Sequence, residues 1–248
     1  MIDNIKNEDI LFLDIETVPQ YTDYAQAPNE FKEFWDKKAK KIGNDNQTPE
    51  ELFLRAGIYA EFGKIICISA GLIVNKGDQM FFRIKSFAND DERILLTGFA
   101  DMLDKFSSKQ QATLCAHNGK EFDFPYIARR MLINGVKLPA LLDVAGKKPW
   151  EVKFLDTMEL WKFGDFKHYT SLNLLAYVFN IPTPKDDIDG SMVADVYYKE
   201  KNLERIVKYC EKDVLTVAQL FLRYRNQPVI ADSNIEIAGW TSFRNSAS

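Results

Sequence analysis

Leu11-Phe12-Leu13-Asp14-Ile15-Glu16-Thr17 is the stretch on which the reading of this chain turns. It begins as an apolar strand, places two carboxylates two residues apart and closes on a hydroxyl. Side chains alternate faces along a strand, so Asp14 and Glu16 project from one side while Leu13 and Ile15 point to the other. Two acids on one face of a buried strand repel each other and lose water. A divalent cation of the Mg²⁺ or Mn²⁺ type removes both problems, because such ions favour oxygen ligands. An isolated Asp-x-Glu is by default a strand surfacing into solvent. Acids arriving from elsewhere with matching geometry change that default.

Around this strand, the 248 residues carry 46% hydrophobic, 27% charged and 13% aromatic side chains, as an ordinary soluble globular domain does. Two of the three cysteines sit in apolar runs, Ile65-Ile66-Cys67-Ile68 and Leu114-Cys115-Ala116. They read as free thiols of a reducing compartment. With two histidines and no paired-Cys motif, a structural zinc site is not expected. The sequence opens on no signal-peptide pattern, and no apolar run is long enough to span a bilayer, so a cytoplasmic protein without a membrane partner is expected. A net charge of −4 argues against coating nucleic acid through bulk positive charge. It leaves room for an enzyme that gathers acids around metals behind a local basic rim.

Residues from about 20 to 62 read as a helical insertion. Phe31, Phe34, Trp35 and Lys38 share one side of a helix, and Thr48-Pro49-Glu50-Glu51 has the form of a helix start. The Lys37-Lys38-Ala39-Lys40-Lys41 run reads as a solvated face. Lys64 to Val74 is a buried strand, turned by Asn75-Lys76-Gly77-Asp78 into a hairpin partner from Gln79 to Ile84. Asn89-Asp90-Asp91-Glu92 caps a helix to about Phe106. A short strand at Ala112 to Ala116 leads into His117-Asn118-Gly119-Lys120-Glu121-Phe122-Asp123, then a helix stopping at Asn134-Gly135. Val152 to Asp156 is a last strand, and helices are predicted at 171–179, 191–198 and 203–225. Hairpin order followed by strand–helix alternation predicts an α/β domain with a mixed central sheet flanked by helices. Residues 1–226 would form it, with 227–248 as a C-terminal tail.

Three of these elements carry further chemistry. Asp123 stands at a helix start, where an acid is also a common cap. Tyr209 and Asp213 are four apart in the final helix, placing the phenol one turn from the carboxylate. Asp156 reads as a supporting acid or as the cap of the segment from Thr157. His168 and Lys185 read as solvated loop residues.

Taken together, Asp14-Ile15-Glu16-Thr17, Asn118-Gly119-Lys120-Glu121-Phe122-Asp123 and Tyr209 to Asp213 resemble the three motifs of the DEDD superfamily of 3′–5′ exonucleases. Tyrosine in the third motif is similar to the tyrosine-type subgroup, which includes the proofreading domain of family B DNA polymerases and the stand-alone exonucleases related to it. The resemblance implies a ribonuclease H-like fold with the insertion after the first strand. It also implies two divalent cations, Mg²⁺ or Mn²⁺, roughly 3.5–4 Å apart.

By the same resemblance, Asp14, Glu16, Asp123 and Asp213 hold the metals and Tyr209 orients the attacking water. Thr17 and Asn118 contact the terminal sugar and phosphate. Phe122 packs against the terminal nucleotide, though a core aromatic is an equal reading of that residue. The implied partner is the 3′ end of a single-stranded nucleic acid, with DNA favoured over RNA. Two alternatives stay open: a 3′–5′ exoribonuclease of the same superfamily, and a non-catalytic nucleic-acid-binding module.

Overall fold

The computed structural model describes residues 4–44, 46–109, 111–165, 169–182 and 188–239. β1 (Ile10–Pro19), β2 (Gly63–Lys76) and β3 (Gln79–Ala88) form an antiparallel meander. β4 (Thr113–Ala116) and β5 (Leu155–Asp156) extend it in parallel beyond β1, and β6 (Ile235–Ala238) adds in parallel beside β3. The six strands stand in the order β5-β4-β1-β2-β3-β6.

Alternation along β1 explains the layers. Leu11, Leu13 and Ile15 face one side, where Leu95, Phe99 and Leu103 of α2 (Glu92–Phe106) and Ile127 and Met131 of α3 (Asp123–Ile133) cover them. Ile10 and Phe12 face the other, against Val214, Val217 and Phe221 of α7 (Leu203–Tyr224). Each such side chain contributes roughly 1.5–3 kcal/mol on burial, and a slip of one residue would turn every one of them to the wrong face. α6 (Val193–Tyr198) covers Val18 and Ile66 on the α7 side. α4 (Thr157–Lys162) and α5 (Leu172–Val178) close the far end, with Leu175 and Ala176 buried on Leu220.

The insertion builds a small core of its own. α1 (Asn29–Ile42) buries Trp35 and Ala39 against Leu52, Phe53 and Ala56. The expected helix start at Thr48 makes its capping bonds, Thr48 N–H to Glu51 Oε2 at 2.7 Å and Glu51 N–H to Thr48 Oγ1 at 3.2 Å. A turn and a 3₁₀ segment, Phe53–Ile58, follow instead of an α-helix. Tertiary bonds claim the local carbonyls: Tyr126 Oη donates to Gly57 O at 2.7 Å and Arg130 Nη1 to Ala60 O at 2.8 Å.

Two other expectations change. The strand predicted at 152–156 shortens to Leu155–Asp156, the two residues that pair with Cys115 and Ala116 of β4, and a 3₁₀ turn at Pro149–Glu151 precedes it. Within the segment predicted as tail, Ile235 to Ala238 pairs with Phe82 to Lys85 and becomes β6. His168 and Lys185, read as solvated loop residues, and residues 240–248 of the expected tail fall outside the described residues. No helix among the described residues is long and apolar enough to cross a membrane.

Candidate metal centre

Asp14 and Glu16 stand opposite Ser69 and Cys67 of β2, on the face that packs against α7. The register slips between Glu16 and Thr17, where β2 supplies one extra residue. Ile66 and Cys67 consequently both join the cluster beneath α6 and α7. Bulges of this kind re-aim side chains next to functional sites. Glu92 anchors this one from behind: its Oε1 accepts Ile65 N–H at 2.7 Å and Arg130 Nε–H at 2.9 Å, and its Oε2 accepts Asn134 Nδ2–H at 2.9 Å.

Asp123 reaches the same strand from α3. Pairing of β1 with β4 ends at Phe12 and Cys115, so the Ile15 amide beyond it is available, and it donates to the Asp123 carboxylate. The loop that delivers Asp123 is tightly folded. Asn118 has φ 63°, and a side chain at Gly119 would strike Ala116 and Phe124. Asp156 fastens this loop: Oδ1 accepts Asn118 N–H at 2.9 Å and Oδ2 accepts Lys120 N–H at 3.1 Å. Oδ1 also caps α4 through Met158 N–H at 2.9 Å. His117 Nε2 donates to Thr170 O at 2.9 Å, which leaves Nδ1 to accept from Thr157 Oγ1 at 2.9 Å.

From the opposite layer, α7 presents Tyr209, Cys210 and Asp213. Tyr209 and Asp213 are hydrogen-bonded to each other. Cys210 Sγ donates to Asp14 Oδ2 at 3.4 Å. Ligand atoms of Asp14, Glu16 and Cys210 lie within 4.8 Å of one another.

The electrostatics follow from this crowding. Burial, then the charges of Glu16, Asp213 and Asp123, raises Asp14 well above the usual carboxylate range. Burial and Asp213 raise Glu16 likewise. Burial pushes Asp123 up to about 7, with Asp156 and Asp213 adding to the rise and its hydrogen bonds from backbone amides opposing it. The Tyr209 phenol is raised by burial and by Asp213, Glu16 and Asp14, so it stays protonated at neutral pH. Mutually repelling buried acids of this kind are the donor set a hard divalent cation requires, so the residues present fit such ions.

Thr17 follows Glu16 on β1, Phe122 precedes Asp123, and Asn118 lies in the loop that delivers it. Thr17 is hydrogen-bonded to the Tyr126 hydroxyl. Asn118 Oδ1 is buried without a hydrogen-bond partner, an acceptor that calls for an incoming donor. Phe122 packs partly into the core, with its ring centroid 5.3 Å from that of Tyr126. Sequence reasoning did not single out Cys210, Tyr126 or the buried chain from Ser69 through Ser86 to Glu211, in which Ser86 Oγ donates to Glu211 Oε1 at 2.6 Å. An unexplained acid in the third motif was the available signal for Glu211. For the other residues only the folded contacts reveal the role.

Residues 57–236 match the family of predicted 3′-5′ exonucleases related to the exonuclease domain of PolB. The chain belongs to this family. The matched span contains Asn118, Asp123, Tyr209 and Asp213 and begins after Asp14 and Glu16. A DNA polymerase of Pyrococcus glycovorans is 26% identical over 125 residues, which are 45% of this chain and 16% of the polymerase. The structure of the family B DNA polymerase from the hyperthermophilic archaeon Pyrobaculum calidifontis superposes with a TM-score of 0.50 at 16% identity, covering 87% of this chain and 24% of that one. At that identity the likeness is one of fold. Spanning so small a share of each polymerase, the PolB-related exonuclease chain is similar to one part of them.

Proposed function

We propose that this PolB-related exonuclease removes nucleoside 5′-monophosphates from the 3′ end of single-stranded DNA by metal-dependent hydrolysis, as a member of the tyrosine-type DEDD subgroup with a ribonuclease H-like fold. One observation carries the reading: β1, the β4–α3 connection and α7 bring Asp14, Glu16, Asp123 and Asp213 into mutual repulsion, with Tyr209 beside them. The order β3-β2-β1-β4-β5 within the sheet supports the fold assignment.

In this reading the four carboxylates hold two divalent cations, and the fit of the buried acids to such ions supports it. Bound by these four carboxylates, such cations would supply acidity to a nucleophilic water and positive charge facing the 3′ oxygen. Tyr209 orients that water by donating a hydrogen bond, as a phenol that stays protonated at neutral pH does. The orphan acceptor of Asn118 takes a hydroxyl of the terminal sugar, and Thr17 and the exposed edge of Phe122 bound the terminal nucleotide.

Matched 5′-labelled single-stranded DNA and RNA oligomers, incubated with Mn²⁺ and resolved on a gel, test the proposal. A ladder shortening from the 3′ end on DNA is expected. A ladder on RNA alone would move the protein to the ribonuclease branch, and no ladder on either would favour a binding module.

A further inference from the structure

A cavity of about 550 Å³ lies between α7 and the β3–β6 edge of the sheet, and Tyr209 forms part of its wall. That volume is within the range of sites that hold one small organic ligand. Ile84, Leu215 and Ile237 give it an apolar lining, and Ile237 is left 57% exposed. Glu211 interrupts that lining with a carboxylate only 7% exposed. Ser86 Oγ donates to Glu211 Oε1 at 2.6 Å and lies 2.9 Å from Ser69 Oγ, so the acid is held from behind. One hydroxyl does not fill the roughly four lone-pair sites of a carboxylate, and a buried acid needs further donors. Along α7, Arg205 and Lys208 line the same cavity close to the positive end of the helix. Each is paired at the surface, Arg205 with Glu200 and Lys208 with Glu204. Exposed pairs of this kind contribute little and exchange readily for a phosphate.

We propose that this cavity binds one guanine nucleotide, with the base on the apolar lining, its N1–H and N2–H donating to Glu211, and its phosphate on Arg205 and Lys208. Ser86 gives its proton to the carboxylate, which therefore offers the base acceptors only. Acidic side chains read bases through such donors. Guanine alone carries two adjacent donors on its pairing edge. Thymine sets a single N–H between two carbonyls, and adenine and cytosine set one amino group beside a bare ring nitrogen. A free nucleotide and a guanine residue of a single strand present this same chemistry. No bond is made or broken. The inference rests on the cavity and stands whether or not the chain cleaves DNA.

The test is calorimetry on the full chain in EDTA, which keeps bound cations out of phosphate recognition, with dGMP and dTMP as probes. It is made at about pH 8, because burial raises the Glu211 pKa. One equivalent of dGMP should bind, and dTMP should bind more than about tenfold more weakly. Glu211→Gln turns an amide donor toward the base and should erase that preference. Lys208→Ala should weaken both nucleotides alike, since phosphate contacts position and base contacts specify. Ile237→Glu places a charge on the apolar lining at an exposed position. It should weaken dGMP more than about tenfold with an unchanged urea midpoint, which separates loss of the site from loss of the fold. Displacement of dGMP by an oligothymidylate carrying one dG would assign the cavity to a strand residue, and dGMP bound alongside that strand would assign it to the free nucleotide. No dGMP binding, equal affinity for dTMP, a preference that survives Glu211→Gln, or displacement of dGMP by plain oligothymidylate would each overturn the proposal.

Discussion

Asp156 Oδ1 accepts the amide hydrogen of Asn118 at 2.9 Å across 38 positions of sequence, and the same carboxylate caps α4. One side chain thus joins the end of β5 to the loop that delivers Asp123. Asp156→Ala should remove the cap, costing about 0.5–2 kcal/mol, and strand loop amides at roughly 1–3 kcal/mol. Urea denaturation should show the loss, and cleavage of labelled DNA should slow. Asp156→Asn, which keeps the acceptor at Oδ1 but turns a donor toward the Lys120 amide, should recover part of both. Parent-like behaviour of Asp156→Ala would show that the loop does not depend on this carboxylate.

That junction marks the limit of what was legible beforehand. β1, α2 and α7 could be read because of their apolar spacing, and α2 also because Asp91, one of the acids read as its cap, stands at its start with capping bonds. The acids could be read because motif spacing survives outside any fold. β6 could not, since four residues, two half-buried and two exposed, pair only once Phe82 to Lys85 are in place. The 3₁₀ segment at Phe53–Ile58 was missed for the same kind of reason: Tyr126 and Arg130, far along the chain, hold the carbonyls around it. Cys210 reads in sequence as a cysteine of a charged helical stretch, and only its 3.4 Å approach to Asp14 sets it apart.

Asp14→Ala and Asp213→Ala should each lower cleavage by on the order of 10³-fold, through loss of a cation ligand. Both variants should fold. In metal-free buffer Asp14→Ala should melt at or slightly above the parent, because burial and its acidic neighbours disfavour the Asp14 charge. Oligonucleotide digestion and thermal melting check the two halves separately. Normal cleavage by either variant would remove that residue from the site.

Tyr209→Phe keeps the ring and deletes the hydroxyl that bonds to Asp213. Slowing of about 10- to 100-fold is expected, with Mn²⁺ affinity by calorimetry unchanged, because the phenol acts on the water and not on the ion. A parallel loss of Mn²⁺ binding would instead make Tyr209 a support for Asp213.

Glu92 and Arg130 are buried together, and Glu92 also takes the Ile65 amide beside the bulge that aims Glu16. Arg130→Met leaves the Glu92 charge without its cationic partner and should cost about 3–5 kcal/mol in urea denaturation. Replacing both with apolar residues should cost less than removing either alone. A double variant no more stable than the singles would mean that the Ile65 and Asn134 bonds to Glu92, rather than the ion pair, carry the effect.

The metal-free protein should become less stable as pH rises, the opposite of ordinary acid denaturation. Asp123 titrates near 7 in the folded chain, and Asp14 and Glu16 are raised as well, against ordinary values of about 4. Between those limits the native state binds more protons than the unfolded one. The stabilisation is therefore complete below the unfolded pKa and is lost as pH climbs through the folded pKa. Each such group contributes a slope of about −1.4 kcal/mol per pH unit within its window. His117, lowered by burial, has the opposite sign, but it is one group against three. Urea midpoints in EDTA should accordingly fall from about pH 5 to about pH 8. Saturating Mn²⁺ should flatten the profile by taking the place of the protons, and Asp123→Asn should remove part of the slope in EDTA. A profile that rises with pH in EDTA, or one that Mn²⁺ leaves unchanged, would mean that these acids are not held together in the folded chain.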